Sequence, residues 1–108
     1  MILKERTCAI YRGSVPALSQ DAIQHYLPQV PGWEYQEKKI ARTFVLGSFH
    51  DAVAFLNKIA RIAEVEGHHP DMGLVNHRRV AIFLRTRKAR GLTENDFIMA
   101  AKINALVQ

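Results

Sequence analysis

The chain has 108 residues, 48% apolar and 23% charged, with a net charge of +5 and a single cysteine, Cys8. This length fits one domain that buries roughly two-thirds of its unfolded surface without covalent staples, and the composition excludes a disordered chain. One cysteine excludes an intramolecular disulfide and a cysteine-rich zinc site. There is no apolar run of signal length and no stretch of ~18 apolar residues, so the expectation is a soluble protein of a reducing cytoplasm with no membrane partner.

Residues 1–17 form a leader of mixed character, ending at Pro16, whose order is left open; a single domain over residues 18–108 follows. Leu18-Ser19 opens a first helix, with Ser19 as N-cap, Asp21 in the first turn, and Ala22, Ile23, Tyr26 and Leu27 at helical spacing; Pro28 and Pro31-Gly32 end it. Trp33 to Glu37 and Ile40 to Leu46 read as a hairpin, the second strand presenting Ile40, Arg42, Phe44 and Leu46 on one face.

Ser48 and Asp51 have capping-box spacing at the head of the clearest helix. Phe49, Ala52, Val53, Leu56, Ile59, Ala60 and Ala63 form its apolar stripe; Phe55 and Ile62, seven apart on another side, serve either a subunit contact or extra core. Gly67 stops the helix, and His68-His69-Pro70 follows at once. Met72 to Val75 and Val80 to Arg87 read as a second hairpin. In its second strand Val80, Ile82, Leu84 and Thr86 alternate with Ala81, Phe83, Arg85 and Arg87. Thr93 and Asp96 then cap a last helix. The order helix, strand, strand, helix, strand, strand, helix predicts an α+β fold: a four-stranded antiparallel sheet with three helices packed on one face.

Two features carry chemistry. Glu64 lies four residues before His68, where a carboxylate can orient or charge an imidazole, and adjacent histidines can serve opposite ends of one small substrate. Taken alone, a His-His-Pro turn is more often simply a polar helix end. His25, His50 and His77 show no ligand spacing to the pair, so no metal is expected. The second feature is charge. No acid falls between Asp71 and Glu94, while Arg78, Arg79, Arg85, Arg87, Lys88 and Arg90 all do. Such a run is either a solvated strand and turn or a field that draws an anionic partner.

From Leu18 to about Leu106 the sequence resembles the pterin-4a-carbinolamine dehydratases. The resemblance is carried by Leu18-Ser19, Gly32-Trp33, Phe44-x-Leu46, Glu64-x3-His68-His69-Pro70, Thr86 and Gly91-Leu92-Thr93-Glu94-x-Asp96. It implies removal of water from a 4a-hydroxy-tetrahydropterin such as 4a-hydroxytetrahydrobiopterin, without metal or redox cofactor, with His68, His69 and Glu64 at the family's catalytic positions. Departures accompany it. Asn76 stands where the family places an aromatic residue, Arg87 stands where it places a third histidine, and the loop between Pro70 and Val80 is one residue longer. A guanidinium offers only donors and does not shuttle protons.

These departures resemble those of the pterin-dehydratase-like proteins encoded with α-carboxysomes, regarded as Rubisco assembly factors. The resemblance therefore implies a chaperone without efficient dehydratase activity, associated with the carboxysome, with Rubisco as partner; the basic run and the strand face of Phe83, Arg85 and Arg87, read as a contact surface rather than a pterin pocket, make Arg78, Arg79, Phe83, Arg85, Arg87, Lys88 and Arg90 the candidate partner-binding surface. A working dehydratase is the second expectation, and a transcription-factor or nucleic-acid partner the third. Sparse aromatic residues among the basic ones disfavour direct single-strand binding. The family further implies a homodimer with sheets extended across it, and in some members a tetramer joined through helices, a contact the Phe55/Ile62 stripe suits.

Overall fold

Two hairpins separated by a long helix build a single four-stranded sheet in the computed structural model, which describes residues 2–107. The elements are α1 (Gln20–Tyr26), β1 (Glu34–Gln36), β2 (Lys39–Val45), α2 (Phe49–Glu66), β3 (Asp71–Val75), β4 (Arg79–Leu84) and α3 (Glu94–Ala105), with short 3-10 turns at Leu3–Glu5, Leu27–Gln29 and Arg87–Ala89. The strand order is β1-β2-β4-β3, every pair antiparallel. All three helices contribute to one core, with Ile23, Phe55, Ile59, Phe97 and Ile103 meeting Ile40, Phe44, Val80, Ile82 and Leu84 from the sheet. The expected α+β architecture is the one observed.

The helix ends follow from local chemistry. Ser19 accepts from the Ala22 amide at 3.2 Å and Ser48 from the Asp51 amide at 3.0 Å. Gly67 stops α2 at φ 69°, the left-handed conformation that glycine adopts without strain. Arg42 lies on the core face of β2, and its charge is accommodated: its guanidinium sits 4.1 Å from the centre of the Phe44 ring and donates to Asn104 Oδ1 and the Pro31 carbonyl.

Two expectations change. The inward face of α2 is Ala52, Phe55, Ile59 and Ala63, whereas Phe49 and Val53 are exposed. The buried direction is turned by roughly 50° from the stripe read in the sequence, at 3.6 residues per turn. Phe55 is the ring that reaches Phe44, 5.0 Å centre to centre, so it is core rather than subunit contact, and the partly buried Ile62 packs against that core beside it. The last strand ends at Leu84 instead of running to Arg87. Thr86 bonds Gly91 through its amide and carbonyl, which turns residues 87–90 into a compact loop.

The leader, whose order the sequence left open, packs on the fold over its described residues. Leu3 and Cys8 are buried in the main core. The Cys8 amide donates to Glu66 Oε1 at 2.8 Å, and Ala9 exchanges two hydrogen bonds with the Asn95 side chain at 2.8 and 2.9 Å. Arg6 and Tyr26 both donate to Glu94 Oε2, and Lys102 bridges Glu66 and the Lys4 carbonyl. Burial, reinforced by the adjacent Glu66 carboxylate, pushes the Cys8 thiol up to about 12. Burial alone would raise Glu66, but the Cys8 amide and the Lys102 ammonium outweigh it and hold this carboxyl below its usual range.

Two outcomes follow. Iodoacetamide at pH 8 should label Cys8 in the folded chain at least about a hundredfold more slowly than in urea, because the reactive thiolate is scarce and enclosed; equal rates would show a detached leader. A carboxyl depressed on folding stabilises above its unfolded value and loses that contribution as pH falls through its folded value. Acid melting curves of the native chain should therefore lose stability below about pH 4.5 more steeply than those of Glu66→Gln.

Candidate active site

Asp71 pairs with Phe83 in the β3–β4 ladder, so the residues before Asp71 and after Phe83 leave the same end of the sheet side by side. The first run is Gly67-His68-His69-Pro70 and the second is Arg85-Thr86-Arg87-Lys88. Together with Asn95 near the start of α3 and Ala9-Ile10-Tyr11 of the leader, they enclose a cleft of about 500 Å³. Junction, strand end, helix start and leader are four separate segments, and the fold brings all of them to one place.

His68 and His69 both line this cleft in different settings. The His68 side chain is only 12% exposed, and its Nε2 donates to Asp96 Oδ1 at 2.7 Å. Asp96 is wholly buried; its Oδ2 accepts from Thr86 Oγ1 at 2.8 Å and from the Thr93 amide at 3.0 Å. Thr93 Oγ1 in turn lies 2.7 Å from Thr86 Oγ1, whose own proton is directed at Asp96. A carboxylate holding the Nε2 proton leaves His68 Nδ1 as the accepting nitrogen. His69 is 62% exposed, and its Nε2 lies 2.5 Å from Glu64 Oε2.

The expected Glu64–His68 relation is therefore replaced by two pairs, Glu64 with His69 and Asp96 with His68. A spacing of four brings side chains together only while the helix continues, and Gly67 in the left-handed region ends it between them. Asp96 was legible as a helix cap and as part of the family resemblance, but not as the partner of His68, which lies 28 residues away in sequence.

Of the remaining sequence-derived positions, Phe83, Arg85, Arg87 and Lys88 line the cleft with the histidines. Arg87 begins the 3-10 turn after β4, and Arg90 closes that turn at φ 53°. Among the described residues neither Arg85 nor Arg87 forms an ion pair, and Lys88 Nζ donates to the Tyr11 carbonyl. Asn76, Arg78 and Arg79 lie apart from this group, at the far end of β3. Asn76 and His77 form the hairpin turn at φ 52° and 49°, a conformation that asparagine tolerates far better than an aromatic residue. The wall formed by Ala9, Ile10 and Tyr11 had no signal in the sequence, since nothing local marks a leader that docks on distant residues.

Fold and site define a small α+β protein whose cleft holds two adjacent histidines, each tied to its own carboxylate. Residues 16–106 match the family described as Pterin 4 alpha carbinolamine dehydratase. The chain is 40% identical over 108 residues to a Stenotrophomonas maltophilia protein named "Putative pterin-4-alpha-carbinolamine dehydratase", covering 98% of this chain and 92% of that one. A protein of the same name from Halorhodospira halophila is 38% identical, with 98% of each covered. Among solved structures, a transcriptional coactivator/pterin dehydratase from Brucella melitensis superposes with a TM-score of 0.81 at 31% identity, over 85% of this chain and 99% of that one. A pterin dehydratase-like protein identified as a RuBisCO assembly factor in the alpha-carboxysome gives 0.56 at 25% identity, over 68% and 84%. The chain belongs to the pterin 4 alpha carbinolamine dehydratase family.

Asp96→Asn keeps the shape but turns one acceptor oxygen into a donor among groups that all donate. It should lower stability by about 1–3 kcal/mol in urea melts. Asp96→Ala, which removes every partner at once, should lose about 3–5 kcal/mol. Wild-type stability in both variants would mean that the buried network is not formed.

Proposed function

We propose that this chain dehydrates a 4a-hydroxy-tetrahydropterin, with His68 and His69 as its two proton-transfer groups. The observation that carries this reading is the pair of imidazoles on one cleft, each held by Nε2 on a separate carboxylate. The reaction needs one proton delivered to the departing 4a-hydroxyl, which leaves as water, and one removed from a ring nitrogen, which yields the quinonoid dihydropterin. His68, enclosed and aimed by Asp96, is suited to accept the ring proton at Nδ1. His69, open to solvent beside Glu64, is suited to deliver the other and to be reprotonated from water. Arg87 in place of a third histidine adds a fixed charge and no proton carrier, so turnover is lower than a three-histidine site would give.

A second reading, a Rubisco assembly factor associated with the carboxysome, is favoured by the likeness to the solved assembly factor and by Arg85 and Arg87, which form no ion pair among the described residues. It ranks second because the relatives that share nearly the whole chain at about 40% identity are named as dehydratases, and because both histidine–carboxylate pairs are intact. In either reading the unpaired edge of β3 is suited to pairing with a second copy, which makes a dimer the expected state in light scattering.

The test is a dehydration assay on the native chain, His68→Ala and Arg87→His. The native chain should turn over measurably, His68→Ala should lose about 10²–10⁴ in rate, and Arg87→His should gain. A native rate no faster than buffer, together with more soluble Rubisco on co-expression, would replace this reading with the second.

A further inference from the structure

We infer that the cleft selects a reduced pterin whose side chain carries a negative charge, as a phosphate ester or a carboxylate, over one with a neutral hydroxyalkyl chain. The inference rests on the proposed function and names the substrate class of the same site.

Its basis is an imbalance of charge that the fold leaves uncorrected. Arg85, Arg87 and Lys88 line the cleft, against a single lining carboxylate among the described residues, Asp71. The other acids of the neighbourhood are engaged elsewhere. Glu64 holds His69 and Asp96 holds His68. Glu94 is bound by Arg6 and Tyr26, and Glu66 by Lys102 and the Cys8 amide. Among the described residues none of these four forms an ion pair with the three cations.

Three like charges on one cleft set up a positive field that favours a ligand group of opposite sign. The three are also grouped. All lie within residues 85–88, where the chain leaves β4 and turns, while the histidines come from the junction that precedes β3. A flat heterocycle placed against His68 and His69, with Phe83 and Tyr11 as further lining, can extend a substituent toward the cationic turn. Guanidinium groups match phosphate and carboxylate geometry in bidentate fashion, so a substituent of that chemistry gains what a hydroxyl chain cannot. Lys88 is already oriented by the Tyr11 carbonyl, which ties the cationic turn to the leader wall.

The experiment compares binding of three stable pterins to the native chain by titration calorimetry: 7,8-dihydrobiopterin, 7,8-dihydroneopterin 3′-phosphate and 7,8-dihydrofolate. At least one charged ligand should bind about ten- to thirtyfold more tightly than the neutral one, and the tighter of the two distinguishes phosphate from carboxylate. That advantage should shrink as salt rises from 50 to about 500 mM. The double change Arg85→Gln, Arg87→Gln should abolish the preference, with the circular dichroism melt confirming that the variant is folded. Equal or weaker binding of both charged ligands, with the neutral one bound, would overturn the charge preference and leave the pterin reading standing. No binding of any of the three at millimolar concentration would overturn both.

Discussion

The site is organised around one buried anion. Asp96 is enclosed completely, and an isolated carboxylate in such a place would cost several kcal/mol. It persists because three segments each direct a donor at it: the junction after α2 through His68, the end of β4 through Thr86, and the start of α3 through the Thr93 amide. The amino end of a helix also favours negative charge. This arrangement fixes the distance between the histidine junction and the strand end, and hence the width of the cleft between them. Loss of any one of the three donors would leave this buried carboxylate one hydrogen bond short, so the constraint on the site and the constraint on the fold are coupled.

That coincidence explains which parts of the molecule were legible in the sequence. The helices and hairpins were, because their signals are local: Ser19 and Ser48 cap their own helices, Gly67 stops its own, and alternation along Val80 to Leu84 marks one buried face. What failed was orientation between elements. The stripe through Phe49 and Val53 satisfies helical spacing as well as the true one through Phe55 and Ile59, and only the position of Phe44 on the sheet decides between them. The carboxylate partners failed for a related reason. Glu64 is near His68 in sequence, but a single left-handed residue redirects the chain, and the partner of His68 arrives from α3.

The leader shows the same limit more sharply. No periodicity marks residues 2–17, yet Leu3 and Cys8 fill the core and Ala9 to Tyr11 wall the cleft. Its bonds run to Glu66, Glu94, Asn95 and Lys102, each at least 58 residues away. A peptide that finds its structure only on a completed surface carries no signal of its own. This chain therefore has a cleft with a wall that could not be inferred from the histidine motif, and that wall adds Tyr11 on the side of Lys88.

Arg87 is best understood through its neighbour. Thr86 must face inward to hold Asp96, and Arg87, next in the chain, faces the cleft. The fold thus determines where the side chain at position 87 goes, while leaving its chemistry open. An imidazole there would add a third proton carrier; a guanidinium adds permanent charge at the same location. Under the proposed function the exchange alters two properties together, lowering the capacity for proton transfer and raising the pull on anions, and Arg85 and Lys88 reinforce only the second. On the inference drawn above, residues 85–88 supply the cations that a bound group of negative charge would meet.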